Sequence, residues 1–155
     1  MNLEELTLRL DRLESIEQIK QLKAKYCDYC DDNYNPEGIA SLFAEDGVWD
    51  AGEGFGCHRG REEIKAFFKE VSKDILFASH NVMNPIIDVD GDFAKGQWNI
   101  FMPATLQGEQ AAWLLARYDE TYQRKDGQWL IKSLKANIKF FSPYDQGWAK
   151  KPFMD

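Results

Sequence analysis

The chain has 155 residues, of which 44% are hydrophobic and 14% aromatic, and a formal net charge of −7. This length suits one domain spanning residues 1–155, and the composition excludes a disordered chain. The acidic balance lacks the basic footprint that nucleic acid or anionic lipid requires, no apolar run could span a bilayer, and three cysteines do not make a secreted disulfide framework, so the expectation is a cytoplasmic protein with free thiols.

In chain order, Leu3 to about Asp31 predicts one long helix. Leu3, Leu6, Leu10, Leu13, Ile16, Ile19 and Leu22 recur at spacings of three and four and read as one apolar stripe. The polar cluster Asp31-Asp32-Asn33, with Pro36 beyond it, ends that helix. Pro36 to Phe43 predicts a short second helix, and Gly47-Val48-Trp49-Asp50 a first short strand. Gly52 to Gly60 is a glycine-rich loop or hairpin. Arg61 to about Ser72 predicts a third helix, with Ile64, Phe67, Phe68 and Val71 on its apolar face.

From Phe77 the period changes to two. Phe77–Val89, Phe93–Leu106, Ala111–Arg124 and Gln128–Phe141 read as four long strands. Asp90-Gly91 and Asp126-Gly127 lie between strands and are tight-turn pairs, so the strands form an antiparallel meander. The fold class is therefore α+β: a curved antiparallel sheet covered by three N-terminal helices, with a cone-shaped pocket between them.

Only two histidines are present, His58 and His80. His58 lies in the glycine-rich loop and reads as a surface residue. A regular strand puts His80, Val82, Asn84 and Ile86 on one face, and a histidine beside apolar neighbours on an inward face suits a general base. Asp31 and Asp32 end the first helix where it meets the sheet. A carboxylate there can accept a hydrogen bond from the imidazole, fix its tautomer and stabilise the imidazolium. Tyr26, five positions before Asp31, offers a hydroxyl to a substrate oxygen. Cys27 and Cys30 form a C-x-x-C near a helix C-terminus, the wrong end for a redox thiol, and one such pair is half a zinc motif, so no metal is expected. The glycine loop has Arg59 where a dinucleotide fingerprint needs its third glycine.

These residues resemble the SnoaL-like branch of the nuclear-transport-factor-2-like superfamily. The likeness runs almost end to end. It passes through Ile16-Glu17-Gln18-Ile19-Lys20-Gln21-Leu22, Leu42-Phe43-Ala44-Glu45-Asp46-Gly47-Val48-Trp49, Gly60-Arg61-Glu62-Glu63-Ile64 and His80-Asn81-Val82-Met83-Asn84-Pro85. Within that branch it is similar to the hexachlorocyclohexane dehydrochlorinases, scytalone dehydratases and bile-acid dehydratases. The resemblance implies a cystatin-like α+β barrel and a His–Asp dyad that abstracts a proton without a cofactor. It places the family histidine on His80, the dehydratases' tyrosine on Tyr26, and the aspartate on Asp31 when the first helix is matched, which is preferred to Asp32, the position given by matching from the second helix. The bile-acid enzyme's further acidic residue falls on Met102. Trp98, Ile100 and Met102 share that strand phase and are expected to line the pocket, with Trp49 as a further wall. The implied function is a lyase of dehydratase or dehydrohalogenase type acting on a small hydrophobic ring compound. A ligand-binding module, an isomerase and an accessory subunit are the alternatives on the same fold. A homo-oligomer is implied, a trimer ahead of a dimer, with the tail Gln146–Phe153 over the pocket mouth or a neighbouring subunit.

Overall fold

Asn2 opens the first helix with a capping box. Its side chain accepts from the Glu5 N–H at 2.8 Å, and the Glu5 carboxylate accepts from the Asn2 N–H at 3.1 Å. In the computed structural model, which describes residues 1–155, this helix (α1) runs Leu3–Asp31. The helix α2 (Pro36–Ser41) follows, with Pro at its start and the Asn35 side chain capping Gly38. Strand β1 (Phe43–Asp50) begins earlier than expected, directly after α2. The glycine-rich loop contains a single helical turn, α3 (Gly52–Phe55), and a short strand, β2 (Cys57–Arg59). Helix α4 spans Gly60–Asp74. Four further segments complete the sheet: β3 (Ile75–Ala78) with β4 (Asn81–Asp90), then β5 (Phe93–Leu106), β6 (Gln110–Lys125) and β7 (Gln128–Pro143).

The sheet order is β2-β1-β7-β6-β5-β3, with β4 also paired to β5. The meander is antiparallel as expected, but β1 joins β7 in parallel, so the sheet is mixed. The chain leaves β1 through α4 and returns to β1's far side only with its last strand, which runs the same way. Lys125 and Gln128 pair across Asp126-Gly127, whose φ values of 51° and 76° are those a two-residue hairpin turn needs. The sheet curls around α1, α2 and α4 as a half-barrel. Its concave side carries every second residue of β5 and β6, including Ile100, Met102, Leu114 and Tyr118.

The first helix departs from the single-stripe expectation. Ile19, Leu22 and Tyr26 are buried, whereas Leu3, Leu6, Leu10 and Leu13 are exposed. A helix turns about 100° per residue, so the 3-4-3 spacing of the first four leucines keeps them on one face. The steps of three from Leu13 to Ile16, Ile19 and Leu22 each slip about 60°, and together carry the apolar positions to the opposite side. One apparent stripe is therefore two faces.

The long strand expected over Phe77–Val89 is broken at Ser79–His80. Ala78 pairs Ala104 and Asn81 pairs Phe101, which leaves Ser79 and His80 outside the ladder. Pro103 on β5 is the cause, because it has no N–H to give. Ser79 donates to the Pro103 carbonyl at 3.0 Å, and the Asn81 amide replaces the missing donor to the Ser79 carbonyl at 3.1 Å. Further along β4 the register slips between Met83 and Ile86, and Asn84 has φ 55°. This bulge exposes Ile86 and buries Val89.

Candidate active site

Ser79 gives its N–H to β5, so the next one, of His80, points away from β5 to the open side of the strand, and Asp31 takes it. The Asp31 carboxylate accepts from that N–H at 2.8 and 3.1 Å, and its Oδ1 lies 2.7 Å from His80 Nδ1. A carboxylate only accepts, so the proton between them sits on Nδ1. Nε2, on the other edge of the ring, is left as an acceptor with no partner in the protein. The imidazole side chain is 5% exposed and that of Asp31 33%, so the carboxylate closes the pair from the solvent side. Of the two acids at the end of α1, it is Asp31 that meets the histidine. Asp32 instead accepts from the Asn35 side chain at 3.3 Å.

His80 borders a small cavity between the helices and the concave sheet, and sixteen of the seventeen residues lining it are hydrophobic, His80 being the exception. The apolar lining with one polar group suits a small hydrophobic ligand. Tyr26, Trp49, Ile100 and Met102 line this cavity. Tyr26 and Trp49 are joined, since the Trp49 indole N–H donates to the Tyr26 hydroxyl at 2.9 Å.

Two expected wall residues lie elsewhere. Val82 is half-buried against the core but not in the cavity. Val82 pairs with Ile100 on β5. Trp98 shares the buried face of β5 with Ile100 and Met102 but lies past the end of the cavity. Its indole donates to the Tyr122 hydroxyl at 3.0 Å, and Tyr122 in turn donates to Glu120. Glu120 forms an ion pair with Lys23, both side chains fully buried. The Lys23 ammonium stands 3.7 Å from the centre of the Tyr118 ring and 4.3 Å from that of Tyr26, so this polar cluster backs the cavity wall.

Sequence reasoning missed Tyr34 and Tyr118. Tyr34 follows α1 in a left-handed backbone conformation (φ 50°), which no local pattern signals for a tyrosine. It stacks on Phe68 with ring centres 5.8 Å apart and meets the His80 ring edge-on at 5.7 Å. Tyr118 was visible in principle, following Ala112, Leu114 and Ala116 in the inward phase of β6. Its hydroxyl makes no hydrogen bond within the protein, and the residue lines the cavity. Burial pushes the hydroxyls of Tyr26, Tyr34 and Tyr118 well above the ordinary phenol range, so all three stay neutral donors.

His58 is half-buried rather than on the surface. Its ring stacks on Phe67 at 4.1 Å, behind the cavity wall, with Nε2 2.9 Å from the Phe55 carbonyl oxygen. Cys27 and Cys30 are buried free thiols, and Cys57 is exposed. No group of three or more His, Cys, Asp or Glu side chains is placed to hold a metal ion. The tail does not line the cavity. Trp148 stacks on Phe140 at 4.9 Å, and Phe153 bridges to Phe141 beside β7. Beyond Lys135, β7 has no β1 partner, and that free edge is what the tail joins. No helix is long and apolar enough to cross a membrane.

Comparison with solved structures returns the same architecture. A type 2 hexachlorocyclohexane dehydrochlorinase (LinA) superposes with a TM-score of 0.81 at 26% identity, covering 87% of this chain and 92% of that one. A candidate scytalone dehydratase from Novosphingobium aromaticivorans superposes with a TM-score of 0.78 at 25% identity, covering 85% and 89%. A nuclear-transport-factor-2-like protein of cystatin-like fold from the same organism, at 23% identity and TM-score 0.71, covers 96% of this chain and 94% of its own and supports the fold alone. No curated protein sequence matches the chain. The SnoaL-like domain profile matches residues 11–135, most of the chain, and the protein belongs to the SnoaL-like domain family.

Proposed function

We propose that this protein is a lyase that abstracts a proton from a small, largely apolar ring compound, with His80 as general base. The observation that carries this reading is the Asp31–His80 pair, set with its free Nε2 in an otherwise hydrophobic cavity. Nε2 takes a proton from a ring carbon. The C–H electron pair becomes the new double bond, and the leaving group departs from the adjacent carbon with its own pair. Asp31 stabilises the imidazolium so formed and keeps its own charge. The neutral hydroxyls of Tyr26 and Tyr118 can donate to the departing oxygen or halide. The apolar walls strengthen each of these interactions by excluding water. The likeness to a dehydrochlorinase and a candidate scytalone dehydratase supports elimination as the reaction class. Three unpaired thiols suit a reducing, cytoplasmic compartment, and homo-oligomeric assembly is part of the proposal.

A second reading is a binding module for hydrophobic ligands. It is favoured by Met102, a thioether where an acidic partner would serve acid–base work. The test is turnover of a panel of halogenated and hydroxylated ring compounds, followed by mass spectrometry. Wild type should release halide or water, and His80→Ala should lose roughly 10²–10⁴-fold in rate while keeping its fold. An alanine variant at full rate would remove His80 from the chemistry. Binding without turnover by any compound in the panel would transfer the site to the second reading.

A further inference from the structure

The N-terminal half of α1 has no partner in the chain. Residues 3–10 are all exposed, and the helix is first tied to the body by Asp11, bonded to Arg124 at 2.9 Å, and by Arg12, bonded to Asp88 at 2.9 Å. Leu3, Leu6, Leu10 and Leu13 are 78, 50, 54 and 65% exposed, on the side of the helix opposite to its buried face. A capped, three-turn helix with no packing of its own is marginal in water, and a row of exposed leucines is a contact surface.

Their 3-4-3 spacing is that of the seam positions of a two-helix coil. Such a seam admits another helix carrying the same spacing, and this helix is itself one. The flanking charges select the alignment. In a parallel, in-register pair, Arg9 of each helix faces Glu14 of the other, on both sides of the seam. An antiparallel pair centred on the same leucines brings the two Arg9 side chains together. The tail of the chain packs against β7 and leaves the helix free. The flanks carry Glu4, Glu5, Asp11 and Glu14 against Arg9 and Arg12, an acidic balance unsuited to a lipid surface.

We propose that the N-terminal half of α1 is a self-association surface, pairing in parallel with the same helix of a second copy through Leu3, Leu6, Leu10 and Leu13. Because the body lies on the opposite side of α1, the two bodies face outward from the seam. The outer face of the sheet stays free for any further contact. A seam this short gives an association that rises with protein concentration.

Sedimentation velocity of the full chain over a range of concentrations tests this. The parent should gain mass with concentration, and Leu6→Lys/Leu10→Lys should lose that association while near-ultraviolet circular dichroism stays unchanged. Leu8→Lys replaces a leucine that is as exposed but on the other face, so it should associate like the parent. Arg9→Glu or Glu14→Arg alone should weaken association, and the two together should restore it. A parent that stays a monomer throughout overturns the proposal, as does an unchanged Leu6→Lys/Leu10→Lys variant. Loss of association in Leu8→Lys equal to that in the seam variant also overturns it. Failure of the charge swap to restore association overturns the parallel pairing.

Discussion

Asp31 holds His80 at two points, through the backbone N–H at 2.8 Å and through Nδ1 at 2.7 Å. One carboxylate thus sets both the position of the chain at the strand break and the tautomer of the ring. Asp31→Asn keeps the size of the side chain but offers an amide that can donate as well as accept. It should cost roughly 10²–10⁴-fold in the rate of proton abstraction, because the imidazolium loses its counter-charge and the neutral ring its fixed tautomer. Single-turnover kinetics on a responsive substrate would show it, and an asparagine variant at parental rate would rule out the dyad.

The two histidines should be neutral in opposite tautomers. His80 has a carboxylate at Nδ1, whereas His58 has the Phe55 carbonyl at Nε2, and both partners only accept. Long-range ¹H–¹⁵N correlation above the imidazole titration should show the proton on Nδ1 in one ring and on Nε2 in the other. Finding both rings protonated on Nε2 would mean that Nε2 of His80 is not available as the base.

The thiols should divide by burial. Desolvation pushes Cys27 up to about 11 and raises Cys30 well above the ordinary thiol range, and both are shut inside the core. Cys57 is exposed. Burial disfavours the reactive thiolate, so a thiol reagent near neutral pH should modify Cys57 rapidly and the other two only after unfolding. Rapid modification of all three in the native protein would contradict the packing of α1 against the sheet.

The buried pair Lys23–Glu120 should matter most when half of it is removed. Lys23→Met leaves Glu120 charged and unpaired in the core and should destabilise by about 3–5 kcal/mol. Lys23→Met/Glu120→Gln removes both charges, keeps a partner for Tyr122, and should recover much of that loss. Urea denaturation of the three proteins decides it. Equal losses in the single and double variants would show that packing, not charge, dominates there.

Tyr26→Phe removes the acceptor that the Trp49 indole uses inside the cavity wall. Leaving that N–H unsatisfied should cost about 1–3 kcal/mol, measured by the same denaturation method. A loss of stability no larger than experimental error would show that the indole finds another acceptor.

Periodicity and turn chemistry are local, and they located α1, α4 and the meander from the sequence alone. Asp126-Gly127 identified its turn because few other residue pairs tolerate two positive φ angles. The scarcity of histidine and the polar end of α1 were enough to nominate His80 and Asp31 or Asp32. The match along the first helix put Asp31 ahead of Asp32, whereas the inward turn of the ring came from elsewhere in the chain. Pro103, on a different strand, withholds one N–H and breaks the ladder at Ser79–His80, and Asp31 grips the His80 N–H on the side of that strand turned away from β5. The bulge after Met83 shifts the phase of β4, and the Lys23–Glu120 cluster closes the cavity before Trp98. The leucines of α1 share a spacing, but which of them is covered depends on where the sheet ends. A sequence determines the period of each element; only the packed structure determines which neighbour meets each face, because hydrogen-bond partners and sheet boundaries are set between segments far apart in the chain.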